Sequence, residues 1–327
     1  MDVTIPQIKA ASLAALKAYG AADWQAEEVA KAVARAEETG NIICGLYYLE
    51  SYCIQLASGR VNGTVEPDVK ATRPGAIAVD ARFGFAQPAF ARALPVAIKA
   101  AQDNGIATLA VGHSHTCTSL GYFTEQIAAA GLIGIGMTNA SAIVSAPGGK
   151  KPILGTNPIA FSVPGDGAPA MHADFSTAAV ALGKITMAKA AGESIPLGWA
   201  VDKDGNPTTD PAAALQGSLC GAADYKGWAL GLLVELLAAG LTGSVGSLDV
   251  KGLKLAEGKP HDLGQFYILI DPAGHTNTLA ERLNQVVTAI GDEPNARIPG
   301  SPRRRLETVS VDPGLWDKIE GLAQGPA

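Results

Sequence analysis

Up to residue 63, apolar residues return at helical spacing. Ile8, Leu13 and Leu16 predict one helix. Gly20 ends it, and Asp23 is placed to cap a second helix, on which Val29 and Val33 stand one turn apart. Leu46, Leu49, Cys53 and Leu56 predict a third helix, closed by the glycines in 59–63. From about residue 75 the pattern changes. Short apolar runs at 77–80, 106–111, 132–138, 159–163, 171–175 and 266–270 predict strands. Helical spacing predicts helices at 88–104, 120–130, 178–191, 225–241 and 278–290, and Pro88 suits a first turn. The alternation predicts a mixed α/β fold. Segment 202–210, rich in Gly, Pro, Asp and Thr, reads as an exposed loop.

Composition narrows the class. The chain has 327 residues, enough for roughly two domains. With 47% hydrophobic and 17% charged residues it is a globular chain with a large core. A net charge of −6 argues against a general attraction to nucleic acid or anionic membrane. The densest basic run is Arg303, Arg304 and Arg305, which reads as a solvated face or as a site for a cofactor phosphate. Cys44, Cys53, Cys117 and Cys220 are scattered, which suits a reducing compartment and predicts a cytoplasmic protein. No basic region followed by an apolar run opens the chain, so no signal peptide is expected. The apolar stretch 227–243 carries Glu235 and is short for a membrane span, so it reads as a buried helix.

The common nucleotide and hydrolase signatures do not appear. Gly134-Ile135-Gly136 begins a Rossmann-like spacing, but Asn139 stands where the third glycine belongs, and the pair lies in a strand that follows a helix. Gly148-Gly149-Lys150-Lys151 lacks the phosphate-loop spacing. Neither a Gly-x-Ser-x-Gly elbow nor a His-Glu-x-x-His pair occurs. The densest polar cluster runs from Gly112 through His113, Ser114, His115, Thr116, Cys117 and Thr118 to Ser119, after a strand and before a helix. Free N–H groups at such a helix start can hold a carboxylate or phosphate. His113, His115 and Cys117 alternate as metal ligands could, without a convincing fourth, and a plain capped turn is the third reading. Gly155-Thr156-Asn157-Pro158 is a polar turn between apolar runs. Asp174-Phe175-Ser176-Thr177 ends a strand and is placed to cap the helix after it.

Several of these segments, in order, resemble one family. They are Gly84-Phe85-Ala86-Gln87, the stretch from Ser114 to Tyr122, Thr138-Asn139-Ala140 and Pro147-Gly148-Gly149. Leu154 through Pro158, Asp174 through Gly183-Lys184-Ile185, Tyr225-Lys226-Gly227, Glu235-Leu236-Leu237 and Pro299-Gly300 before the arginines complete the set. Together they resemble the malate/L-lactate dehydrogenase-like oxidoreductases, which include sulfolactate and ureidoglycolate dehydrogenases and reductases of cyclic imino acids. The resemblance implies a non-Rossmann NAD(P)-binding fold with a largely antiparallel sheet beside a helical domain, and a homodimer. It places the helical region at 1–70 with 275–327, and the nucleotide domain at 71–274. It implies reduction of a small 2-oxo acid or cyclic 2-imino acid, a small carboxylate, with NADP(H) favoured over NAD(H). Asn139, Ser141, Asp174, Phe175, Ser176, Lys226 and Arg303 to Arg305 match its cofactor-contact positions, and Ser114 and Thr156 join them from the polar loop and turn.

The chain departs from the family at the proton donor. Ile43-Cys44-Gly45 stands where members often carry Ser-His-Gly, and Thr116 stands at a second histidine position, with His115 one residue earlier. Reduction of a C=O needs a proton as well as a hydride, and imidazole suits that role near neutral pH. Cys44, His115 and Thr116 are therefore the candidates for proton delivery or substrate contact. A protonated imine, which arrives already activated, or a water donor fits the missing histidines. The alternative expectation is a nucleotide-binding member that has lost the reaction.

Overall fold

The computed structural model describes residues 1–300 and 305–326; Arg303 and Arg304 of the predicted phosphate site lie outside them. A short strand β1 (Asp2–Thr4) leads into α1 (Ile5–Ala18), α2 (Asp23–Glu38) and α3 (Leu46–Ala57), with one 3-10 turn, Ile42–Cys44, before α3. Then come β2 (Asp68–Arg73), β3 (Ala76–Asp80), α4 (Ala86–Asn104), β4 (Ile106–Ser114), α5 (Gly121–Ala129) and β5 (Ile133–Thr138). The middle of the chain forms β6 (Val144–Ser145), β7 (Pro152–Leu154), β8 (Ile159–Val163), β9 (Met171–Phe175), α6 (Leu182–Ala191), β10 (Ala200–Val201), α7 (Pro211–Ala214) and β11 (Ser218–Leu219). Next is α8 (Tyr225–Glu235), which runs on into a π turn, Leu236–Gly240. The chain finishes with β12 (Leu263–Ile270), α9 (Leu279–Gly291), β13 (Thr308–Ser310) and α10 (Pro313–Leu322).

The main sheet has seven strands in the order β2-β3-β4-β12-β5-β8-β9. Every neighbouring pair is antiparallel except β3 and β4, which are parallel and joined through α4. Alanines Ala89, Ala93, Ala97 and Ala101 let α4 lie close on Leu109 and Val111. Gly134 and Gly136 serve packing too. A Cβ on the first would meet Ile127 of α5, and one on the second would meet Thr124 and Tyr267. The Gly-x-Gly spacing is thus a landing site for α5.

The helical layer packs separately. Leu16, Val29, Leu49, Trp316 and Ile319 share one core, which includes α10, and the β1–β13 pairing ties the chain ends together. A four-stranded sheet, β10-β11-β6-β7, closes over Ile185 and Leu219. Among the described residues no helix is long and apolar enough to cross a membrane, and the four cysteines are free thiols.

Four local expectations need correction. Asp23 is the first residue of α2, not its cap; Ala22 holds that place without a side-chain bond. A Thr4–Gln7 capping box starts α1 instead. The helix expected from residue 178 begins at Leu182, because Ala179 N–H bonds the Cys220 carbonyl at 2.8 Å and keeps that stretch extended. Ser176 and Thr177 therefore cap nothing. The apolar helix over 225–241 is not buried all round. Gly227, Gly231, Val234 and Ala238 face inward, while Leu230, Leu233, Leu236 and Leu241 are exposed.

Candidate active site

The corner before α3 is built from the backbone up. Cys44 N–H bonds the Asn41 carbonyl at 2.9 Å, closing the 3-10 turn. Leu46 N–H, an unpaired donor at the start of α3, bonds Glu37 Oε1 at 2.7 Å. Glu37 reaches it from α2 and is buried, which raises its carboxyl above the ordinary value. Gly45 allows this, because a Cβ there would land on the Glu37 carboxylate. The half-buried Cys44 thiol is pushed up to about 12, first by burial and then by the charge of Asp174, against a bond from Asn41. It keeps its proton at neutral pH. Asn41 Nδ2 also reaches Ser119 Oγ at 3.4 Å.

Asp174 comes from the far edge of the main sheet. Its Oδ2 accepts the Gly121 N–H at 2.8 Å, so a carboxylate sits at the start of α5, where the helix dipole favours it. This replaces the expected cap on the following helix. The buried Cys117 thiol beside it is raised to about 12 by burial and then by Asp174. Tyr52 and Thr118 meet through their hydroxyls at 3.4 Å. Asn41, Cys44, Ser119 and Asp174, from three separate stretches of chain, therefore converge at the N-terminus of α5. Ser119 closes the polar cluster that the sequence marks, whereas nothing in the spacing of Asn41 marks it.

His115 is enclosed. Gln55 Nε2 donates to the carbonyls of Leu253 at 2.9 Å and Leu255 at 2.7 Å, so Gln55 Oε1 is left to accept from His115 Nε2 at 2.6 Å. His115 Nδ1 is then a bare acceptor, and it is buried without a partner. His261 stacks on it, with centroids 3.9 Å apart at 18°, and its Nδ1 accepts the Thr116 N–H at 3.3 Å. Tyr52 and Phe85 pack edge-on against the same ring. Burial holds His115 well below its ordinary value and takes His261 down to about 3, with Arg60 nearby adding to both. A neutral ring with its one N–H taken by Gln55 is in no position to give a proton, so the expectation for His115 is corrected on geometry. Thr116 is buried, and its hydroxyl accepts from Thr118 N–H at 3.4 Å. His113 turns instead to Asp262, at 2.8 Å, so the three side chains of the metal reading serve separate partners.

The cofactor candidates divide. Ser176 Oγ and the N–H and hydroxyl of Thr177 all donate to the Thr156 carbonyl at 3.0 Å. Ala222 N–H bonds the Thr177 carbonyl at 2.9 Å, and Gly227 N–H bonds Ala222 at 2.7 Å. Thr156, Ser176 and the exposed Lys226, in the first turn of α8, are thereby drawn to one region, with exposed Phe175 at the end of β9 and half-buried Ser141 on the loop after β5. A cavity of about 700 Å³ borders it and is lined by Pro147, Gly148, Gly149, Leu197, Cys220 and Asp224. Ser114 and Asn139 are placed differently. Ser114 Oγ is buried between Leu263 O and Gln265 Nε2, and the Asn139 amide pins Val245 O at 2.9 Å and Gly264 N–H at 3.2 Å. Arg305 is exposed on the helical layer, lining a cleft with Thr4, Pro6 and Glu38. Asn157 and Glu235 meet each other at 2.8 Å, and Ser247 joins them, so those two motifs hold loops together.

A largely antiparallel sheet beside a helical layer, without a glycine-rich strand-to-helix turn, defines a dehydrogenase class distinct from the Rossmann enzymes. Residues 3–320 match the malate/L-lactate dehydrogenase family, and the chain belongs to it and is an oxidoreductase. The (2R)-3-sulfolactate dehydrogenase (NADP(+)) of Chromohalobacter salexigens is 38% identical, over 98% of each chain. The Δ1-pyrroline-2-carboxylate reductase of Ancylobacter novellus is 35% identical, over 94% of this chain and 93% of its own. The crystal structure of Δ1-piperideine-2-carboxylate reductase from Pseudomonas syringae superimposes with a TM-score of 0.90 at 34% identity, covering 98% of this chain and 99% of that one.

Proposed function

We propose that the protein is a cytoplasmic, homodimeric NADPH-dependent reductase of a small 2-oxo acid or cyclic 2-imino acid. The observation that carries this is the convergence of Asn41, Cys44 and Ser119 on Asp174 at the start of α5. The donor set fits a dinucleotide, because hydroxyls and cations on strand-end loops are the groups that bind ribose and phosphate. Thr156, Ser176 and Lys226 would hold NADPH, which when bound supplies the hydride to the carbon beside the substrate carboxylate. Ser119 and the N–H groups at the start of α5 orient that carboxylate. Cys44, with its thiol near 12, is too weak an acid to drive the protonation. Asn41 and Asp174 instead hold the water that protonates a ketone, while an iminium needs no such donor. Residues 1–70 and the C-terminal segment 275–327 form the substrate and dimerisation region and 71–274 the nucleotide domain, whose exposed α8 leucines extend the dimer contact.

The test is a panel of 2-oxo and cyclic 2-imino acids with NADPH and NADH, followed by nicotinamide absorbance. Turnover of one class with NADPH is expected, and Cys44→Ala is expected to keep kcat within about tenfold. No turnover with any acid would defeat the reading. One observation favours a second reading, that of a binding protein without the reaction: His115 is sealed off from the cleft. That reading expects NADPH binding by fluorescence titration with no substrate consumed.

A further inference from the structure

The segment between the π turn and β12 crosses the helical layer as a strap, and its carbonyls are gripped one after another. Gln55 holds Leu253 and Leu255 as described above. The buried Arg60 guanidinium donates to Gly252 at 3.0 Å, Leu255 at 2.6 Å and Lys259 at 2.9 Å, and Ser58 Oγ donates to Ala256 at 2.7 Å. Charge-assisted bonds of this kind are about twice as strong as neutral ones. Lys254 sits between the two carbonyls that Gln55 holds, so its backbone is fixed while its side chain stays exposed.

The Lys254 ammonium lies over two rings, 3.1 Å from the Tyr47 centroid and 4.6 Å from that of Tyr48. Among the described residues no carboxylate forms an ion pair with it. A ring face attracts the charge but leaves N–H donors for an anion. Those rings begin a wall. Tyr47 is 57% exposed, Tyr48 half-buried, Tyr52 buried at 1%, and centroid steps of 6.1, 5.8 and 5.5 Å lead from Tyr47 to His115. The Tyr52 hydroxyl touches Thr118, and the Tyr48 hydroxyl is raised to about 12, first by burial and then by nearby Cys44. An unpaired cation thus stands beside two rings, and the second of them, Tyr48, leads to Cys44 in the candidate site.

We propose that Lys254 receives a second anionic group of the substrate, at the end away from the carbon that takes the hydride, and so selects dianionic 2-oxo acids over monoanionic 2-oxo and cyclic 2-imino acids. This deepens the reductase reading and rests on it. The second group is a carboxylate or a sulfonate; both present the oxygens that an ammonium binds.

The experiment compares wild type, Lys254→Met and Lys254→Arg on oxaloacetate, sulfopyruvate, pyruvate and Δ1-pyrroline-2-carboxylate, each with NADPH. Wild type is expected to prefer a dianion, with the better of oxaloacetate and sulfopyruvate identifying the group. Lys254→Met is expected to raise KM for it about tenfold or more, leave the monoanions within about twofold, and keep kcat; Lys254→Arg restores most of the loss. Added salt should raise the dianion KM more in wild type than in Lys254→Met. Equal losses on both classes would overturn the proposal, because Lys254 would then hold the carboxylate beside the reacting carbon or merely brace the strap. No loss on the dianions, or a wild type that prefers monoanions, overturns it while leaving the reductase reading intact. A wild type inactive on all these acids defeats that reading first.

Discussion

Gly45 shows how much one absent methyl controls. Glu37 spends a buried carboxylate on the first free N–H of α3, and only a residue without Cβ leaves room for it. Gly45→Ala must therefore push the carboxylate off or move the turn that carries Cys44. We expect a loss of about 1–3 kcal/mol from the stranded cap. A fall in kcat/KM of tenfold or more is also expected, since a shift of about an ångström at a reacting centre is costly. Glu37→Gln should be milder, because its amide oxygen can still accept from Leu46. Urea unfolding and steady-state kinetics on the same variants check this; a Gly45→Ala protein as stable and active as wild type would refute it. The sequence alone marks Cys44-Gly45 only through the family resemblance. Glu37 is invisible there, because its partner lies across a turn and not one helical turn away.

At the level of elements, the junction of β4 and β12 is where hydrophobic pattern stops being informative. The apolar run 106–111 announces β4, yet the strand continues through polar residues to Ser114, whose hydroxyl is satisfied from β12. His113 and Asp262 both take φ 51, so two side-chain residues occupy left-handed backbone to make their bond. Such pairings are tertiary, so periodicity cannot show them. The stacked His115–His261 pair next to them has a consequence for pH. Both rings have folded values below the ordinary value of about 6.5, so as pH falls the unfolded chain takes up protons first. The stability they contribute is therefore whole above about pH 6.5 and is lost as pH falls toward the folded values, at up to about 1.4 kcal/mol per pH unit for each ring. Gln55, Thr116 and Arg60 face the pair, and the fixed Arg60 charge opposes protonation throughout. His261→Gln should flatten the dependence between about pH 7.5 and about pH 5, read as the shift in urea midpoint. Parallel curves for variant and wild type would exclude the pair as the cause.

For the whole molecule, α8 inverts the usual rule. Its small residues lie against the protein and its leucines point away, with Leu233 48%, Leu236 58% and Leu241 61% exposed. Met187 and Leu197, in and just after α6, are exposed as well. The sequence reading of 225–241 as buried fails for one chain, yet the composition that prompted it still needs an explanation. Contiguous exposed leucines on a globular surface mark an interface, and in a chain expected to form homodimers the economical occupant is the same face of a second copy. Burying each leucine would contribute about 2 kcal/mol, so Leu233→Glu with Leu236→Glu should weaken association by about a thousandfold or more. Sedimentation should show wild type as a dimer and the double variant as a monomer. Because Lys226 opens the same helix, the monomer should also bind NADPH less tightly by titration, while its far-ultraviolet circular dichroism stays that of the wild type. A wild type that sediments as a monomer at micromolar concentration would remove the interface, and a monomeric variant with unchanged NADPH affinity would break the link between α8 packing and the cofactor loops.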